Sequence, residues 1–274
     1  MAFHLPVKYA AIFAALCACL PQAAHAASSQ WEATDGARIR IVAEPPIPGA
    51  NELRAILQID LEPGWKTYWR EPGAAGIPPQ VAVSGDGVSA VQIHFPAPEW
   101  TDDAYGSWAG YKHPVALPLT LALDGNDTPG AIAADVFLGI CRDVCVPVSA
   151  HLDFDPRDAR GKMIQGLLID AAFSALPDGN SDNLAIEGAS WTADGEIEIV
   201  LHHKASDREA PQLFLSAGSD HPFSKPVQVS SDAGTTIFRA RPAFDPSKAG
   251  AFDLIATARH GIDAVEITLP IDAF

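Results

Sequence analysis

Past its first 26 residues this sequence has no long apolar run. Nothing there approaches the ~18 uninterrupted apolar residues of a membrane-spanning helix, so the body of the chain is expected to be soluble. Positive charge is scarce: 18 Lys+Arg stand against 34 Asp+Glu, a net charge of −16. That argues against bulk attraction to nucleic acid or anionic lipid, and the acidity fits a role in solubility. The sequence has only two methionines, which leaves few soft ligands for copper. It has no G-x-S-x-G, no H-E-x-x-H and no P-loop, so the common hydrolase, metalloprotease and nucleotide sites are absent. No β-α-β alternation is visible, which disfavours Rossmann, thioredoxin-like and hydrolase folds. There is no fixed-period repeat, heptad pattern or low-complexity tract.

Cysteine is also rare, and its placement matters more than its number. The start, "MAFHLPVKYAAIFAALCACLPQAAHA", sets Lys8 before an apolar run and ends in Ala-His-Ala at 24–26. That is the pattern of a cleaved secretory signal peptide. A lipoprotein box at "LCAC" fits less well, because Cys17 occupies its second position. Cleavage after residue 26 removes Lys8, Cys17 and Cys19. It leaves about 248 residues, a net charge of about −17, and just two cysteines, Cys141 and Cys145. An exported chain meets an oxidising compartment in which thiols pair.

The remainder alternates with period two between Pro and Gly breaks, the pattern of half-buried strands. Strands are expected at 38–43, 52–61, 88–95, 115–123, 131–140 and 146–154, together an antiparallel sandwich. Residues 156–177 change to three- and four-residue spacing through Met163, Leu167, Leu168, Ala171 and Ala172, which predicts one amphipathic helix. A polar linker at 178–183 leads to a second strand series up to residue 270. The expected organisation is a signal peptide (1–26), a first sandwich (27–155), helix and linker (156–183) and a second sandwich (184–274). The fold class is all-β.

In "LGICRDVCVPV", strand parity puts Ile132, Ala134, Val136, Leu138 and Ile140 on the core face and Cys141 on the other. Val146, Val148, Ala150, Leu152 and Phe154 repeat the pattern after the turn, with Cys145 opposite. The two cysteines thus flank a three-residue hairpin turn, Arg142-Asp143-Val144, within reach of one another and outside the core. A disulfide closing so small a ring contributes only about 2 kcal/mol by loop entropy, which weakens a purely structural role. A copper or zinc site needs further ligands; His94, His113 and His151 are scattered, and His202 and His203 point to opposite faces of a strand. Staple, metal site and redox pair all remain open on the residues alone.

Three ordered stretches carry a resemblance: "GWKTYWREPGAAGIPPQ" (64–80), "FPAPEWTDDAYGSWAGYKHPVALPL" (95–119) and "FLGICRDVCVPVSAHL" (137–152). Together, over about residues 30–154, they resemble the N-terminal periplasmic domain of the thiol:disulfide interchange protein DsbD, in its ScsB-like branch. The resemblance implies an immunoglobulin-like sandwich whose cysteine pair, at a hairpin tip, relays electrons. Cys145 would engage partner proteins and Cys141 would resolve the mixed disulfide. It also implies a cap loop at Asp102, Asp103, Ala104, Tyr105 and Gly106, with both acids near the sulfurs. Ala104 stands where the family commonly has a shielding aromatic, a role that Tyr105 or Trp108 could take. Tyr68 and Trp69 match supporting aromatics. The implied partners are thioredoxin-like periplasmic proteins of the isomerase or cytochrome c maturation type. The chain ends at residue 274 without a membrane or thioredoxin-like domain, so a stand-alone form served by a separate membrane electron carrier is expected. No cofactor is expected. The competing readings are a copper-binding or copper-delivery sandwich using the same cysteines with His151, and a non-catalytic interaction module with a structural disulfide.

Overall fold

The period-two stretches become strands in the computed structural model, which describes residues 27–73, 76–103, 106–124, 128–159, 163–204 and 209–274. The expected signal peptide lies outside the described residues. The first part of the chain forms β1 (Glu32–Thr34), β2 (Ala37–Ala43), β3 (Glu52–Leu61), β4 (Thr67–Tyr68), β5 (Gln80–Gly85), β6 (Val88–Ile93), β7 (Glu99–Asp103), β8 (Gly106–Tyr111), β9 (Val115–Leu123), β10 (Ile132–Cys141) and β11 (Cys145–Phe154). A short 3-10 turn (Pro156–Ala159) and helix α1 (Met163–Ser174) follow. The second part forms β12 (Leu184–Trp191), β13 (Ile197–His203), β14 (Gln212–Ser216), β15 (Val227–Asp232), β16 (Thr235–Ala240), β17 (Phe252–His260) and β18 (Asp263–Ile271).

The fold is two immunoglobulin-like antiparallel sandwiches joined by one helix. In the first, the sheet β1-β2-β3-β9-β6 faces β11-β10-β5. Ile132, Ala134, Val136, Leu138 and Ile140 of β10 are all buried between the sheets, with Val148, Ala150, Leu152 and Phe154 of β11 beside them. This is what one-sided burial of a pleated strand requires. A third sheet, β4-β8-β7, takes over where β5 leaves β10. It joins the end of β10 through a backbone pair between Lys66 and Cys141. In the second sandwich β12-β13-β16-β15 faces β14-β17-β18, over a core that includes Leu184, Ile199, Leu201, Leu254 and Ala256.

Helix α1 lies on the outer face of the five-stranded sheet. There Ile169 and Ala172 meet Val42 and Ile56, with Leu168 and Phe173 at the edge. This explains why Ile56 is buried although it points away from the main core. Of the expected stripe Met163, Leu167, Leu168, Ala171 and Ala172, Ala172 is buried and Leu168 packs at the edge, while the other three face away from the sheet. Met163 is 79% exposed and Leu167 63%. Apolar residues run almost all round this helix, so spacing alone could not select the face that a two-residue patch on the sheet would cover.

The two sandwiches share packing. Phe214 of β14 is fully buried and belongs to the first core. It stacks on Trp100 at 5.4 Å and 9° and meets the edge of Trp69 at 5.8 Å. Beside it, both carboxylate oxygens of Glu266 accept from the Arg70 guanidinium, at 3.1 and 3.0 Å.

Candidate functional site

Strands β10 and β11 pair without a break from Ile132↔Phe154 to Cys141↔Cys145. Perfect antiparallel register at the tip therefore sets the two cysteines directly opposite, Cα atoms 4.2 Å apart, and they form a disulfide. The sequence places both outside the core, and here the structure differs in one respect. Cys141 is only 1% exposed. It leaves the sandwich core as its parity demands, but the small third sheet covers that outer face. The backbone of Lys66 donates to the Cys141 carbonyl at 2.8 Å and accepts from its N–H at 2.9 Å. The rings of Tyr68 and Trp108 close over it. Cys145 remains partly exposed.

Tyr68 reaches across the pair, its hydroxyl 2.9 Å from Cys145 Sγ. A disulfide sulfur carries no hydrogen, so the phenol is the donor. Burial, and then the neighbouring Asp103 charge, hold the Tyr68 hydroxyl above its usual pKa, which keeps that proton in place. The ring fits because residue 139 is glycine: a Cβ there would stand 3.0 Å from Ile77 and 3.2 Å from the Tyr68 ring. Trp108 meets Tyr68 edge-on at 5.9 Å. Its indole N–H donates to Asp103 Oδ2 at 2.8 Å. Lys66 Nζ donates to the same oxygen at 2.6 Å and lies 4.4 Å over the Trp108 ring. These groups line a hollow of roughly 270 Å³ that also includes Arg142, Asp143 and Val144 of the turn.

The residues expected in a cap divide between two surroundings. Asp103 faces the hollow. Asp102, expected beside the sulfurs, instead accepts from Lys225 of the second sandwich at 2.8 and 2.9 Å and from Ser107. The reason is strand parity: residues 99–103 form β7, and neighbours on a strand point to opposite faces. The Lys225 and Ser107 hydrogen bonds hold the Asp102 carboxyl below its ordinary range. Gly106 lines the hollow; Ala104 and Tyr105 lie outside the described residues. Trp69, expected as a supporting aromatic, turns the other way from Tyr68 into the core, where it is 1% exposed. Two charged residues at the site are ones the sequence does not mark outright. Lys66 sits inside the quoted "GWKTYW", and its alternation with Tyr68 was a usable signal. Lys225 is 123 residues from Asp102, and nothing local marks it.

The copper reading loses its third ligand. His151 lies six residues along β11 from Cys145, which at ~3.3 Å per residue is roughly 20 Å. Its Nδ1 is engaged by Asp135 at 2.7 Å, and that hydrogen bond raises its pKa. Among the described residues no cluster of three or more His, Cys, Asp or Glu side chains is arranged to hold a metal ion.

With this geometry in view, the chain can be compared with known proteins. A sequence profile described as "Thiol:disulfide interchange protein DsbD, N-terminal" aligns to residues 41–155. Residues 41–155 match the DsbD N-terminal family. The DsbD-like sandwich thus contains the disulfide, Tyr68, Asp103 and Trp108. Among solved structures, the N-terminal periplasmic domain of ScsB from Proteus mirabilis aligns with 91% of this chain and 100% of its own, at 20% identity and a TM-score of 0.74. The fold likeness therefore extends through the second sandwich. A conserved domain protein from Bacillus anthracis aligns with 90% of each chain at 10% identity, but its TM-score of 0.21 does not bear on the fold. No curated protein matches the sequence. No helix among the described residues is long and apolar enough to cross a membrane.

The Tyr68 contact makes one prediction for the DsbD-like sandwich. Tyr68→Phe removes the donor to Cys145. A hydrogen bond to a charged group is worth ~1.5–3 kcal/mol and one pKa unit ~1.4 kcal/mol. In a Cys141→Ala background, the midpoint of Cys145 alkylation against pH is expected to rise by about one unit or more. An unmoved midpoint would mean that the contact does not persist in the thiolate.

Proposed function

We propose that the chain is a periplasmic thiol–disulfide exchange protein that relays electrons through Cys141 and Cys145. The observation that carries this reading is the asymmetry of the pair: Cys145 is partly exposed at the mouth of a hollow, and Cys141 is buried beneath Tyr68 and Trp108. In the reduced form the Cys145 thiolate attacks one sulfur of a partner disulfide, expelling the partner's other sulfur as a thiolate. The Cys141 thiolate then attacks Cys145 Sγ and releases the partner's first sulfur. The partner gains two electrons and two protons, and Cys141–Cys145 becomes the disulfide. A donor dithiol reverses the same steps.

The partners in this reading are thioredoxin-like periplasmic proteins, as acceptors of the isomerase or cytochrome c maturation type and as donor. A separate membrane carrier supplies the electrons. Export by a signal peptide at 1–26 and the division at 27–155, 156–183 and 184–274 belong to the same proposal. So do the roles of Asp103, Gly106 and Tyr68 around the sulfurs. The test is equilibration of the mature protein with graded dithiol and disulfide buffers, scored by thiol alkylation. A reversible two-electron couple is expected. A pair that stays oxidised against strong dithiol reductants would remove the redox role and leave the structural disulfide.

A further inference from the structure

Strand β7 connects two environments. Along its length the second sandwich grips it. Arg259 donates to the Pro98 carbonyl at 3.2 Å and pairs with Glu99 at 3.7 Å. Trp100 stacks on Phe214, and its indole N–H donates to the Leu213 carbonyl at 2.9 Å. Lys225 holds both oxygens of Asp102 and lies 5.5 Å over the Trp100 ring. The next residue, Asp103, points into the cysteine hollow. One strand thus carries an anchor to the second sandwich and a charge beside the sulfurs on adjacent residues.

We infer that Lys225 is a positioning residue for the redox pair: by clamping Asp102 from the second sandwich it sets the Asp103 carboxylate on Lys66 and so fixes the charge balance beside Cys145. This rests on the reading of Cys141–Cys145 as an exchanging pair. The ionisable groups lining the hollow around the sulfurs are Lys66, just before β4, Tyr68 from β4, Asp103 from β7, and Arg142 and Asp143 from the turn. The last two pair with each other at 3.3 Å. Lys66 favours a thiolate and Asp103 opposes it. Lys66 cannot easily leave, because its backbone is paired with Cys141 in both directions. Asp103 is held locally by the Trp108 indole N–H and its rung with Gly106, and its strand is fixed in addition from the other sandwich. Releasing the clamp therefore leaves the Lys66 cation less compensated, and the thiolate gains. An ordinary exposed ion pair contributes little to stability, so the effect belongs to the cysteines rather than to the fold.

The test uses the full mature chain with Lys225→Met, Lys225→Arg and Asp103→Asn. Two quantities are read: the pH profile of Cys145 alkylation in a Cys141→Ala background, and the reduction potential of the intact pair. Lys225→Met is expected to move the alkylation midpoint to lower pH. A fall of half a unit raises the thiolate fraction about threefold below the midpoint. The potential should become more oxidising, because the reduced form is stabilised. Lys225→Arg should restore most of the parent profile. Asp103→Asn should shift both readouts in the same direction, and Lys225→Met should add little in that background. A parent-like profile and potential in Lys225→Met, or a full extra shift on top of Asp103→Asn, overturns the inference. If Lys225→Met does not fold by thermal melting, Asp102→Asn carries the same test. A parent pair that fails to cycle is a different result: it removes the exchange function itself.

Discussion

Cys141→Ala is expected to hold a partner on Cys145 as a stable mixed disulfide and to abolish turnover completely. The geometry gives the two sulfurs unequal access. Cys141 is 1% exposed, sealed by the Lys66 backbone and the Tyr68 and Trp108 rings. Cys145 is partly exposed and sits at the rim. In the proposed exchange, Cys145 is the sulfur that another protein's sulfur would reach, and Cys141, its direct cross-strand neighbour, would displace that protein again. Removing the resolving thiol leaves the first step intact and stops the second. The adduct should vanish under dithiothreitol, and peptide mapping should place the link on Cys145. Cys145→Ala should form none. Equal trapping by the two variants would mean that the cover over Cys141 opens in solution, and the assignment of roles would fall.

Trp69→Ala should destabilise the protein by about 3–5 kcal/mol, as for other large buried aromatics. Trp69 is 1% exposed in the first core, and its ring meets Phe214 from the second sandwich. The cavity would open at the junction, where strands from both sandwiches must move together to close it. Equilibrium denaturation should show a lower midpoint in a single transition. A loss below about 1 kcal/mol would show that the junction collapses around the gap. Two separated transitions in the parent would show that the shared packing does not couple the halves.

The parts legible in the sequence were those written in local periodicity. The strands 52–61 and 115–123 match β3 and β9, and the hairpin around residues 142–144 follows from parity and turn length. Around the cap loop expected at 102–106 no strand was legible. Glu99–Asp103 and Gly106–Tyr111 form β7 and β8, whose side chains pack against the cysteine hairpin on one side and the second sandwich on the other, so neither face shows a clean apolar alternation. That hidden hairpin explains why Cys141 is buried, and why Asp102 and Asp103, adjacent in sequence, serve different surroundings. Lys225 and Phe214 lie more than one hundred residues from the groups they contact, Asp102 and Trp100. No pattern in one sequence encodes such a pairing; it arises when the two sandwiches dock. The helix face was legible only in part, through Leu168 and Ala172, because its apolar residues offered too many candidate stripes.

The disulfide closes the last rung of an otherwise continuous ladder between β10 and β11. Opening it releases no loop and breaks no backbone hydrogen bond of that ladder, since the turn and the Lys66 bridge hold the tip by themselves. If the pair exchanges as proposed, the reduced molecule is expected to keep the outline of the oxidised one. A partner sampling the surface would then find the same contour whether or not electrons are available, and only the sulfur atoms would report the difference. Direction of flow would be set by relative potentials and by encounter rates, with no conformational ratchet to enforce it. Such a carrier would run either way, and what made it a supplier or a receiver of electrons would be the company it keeps.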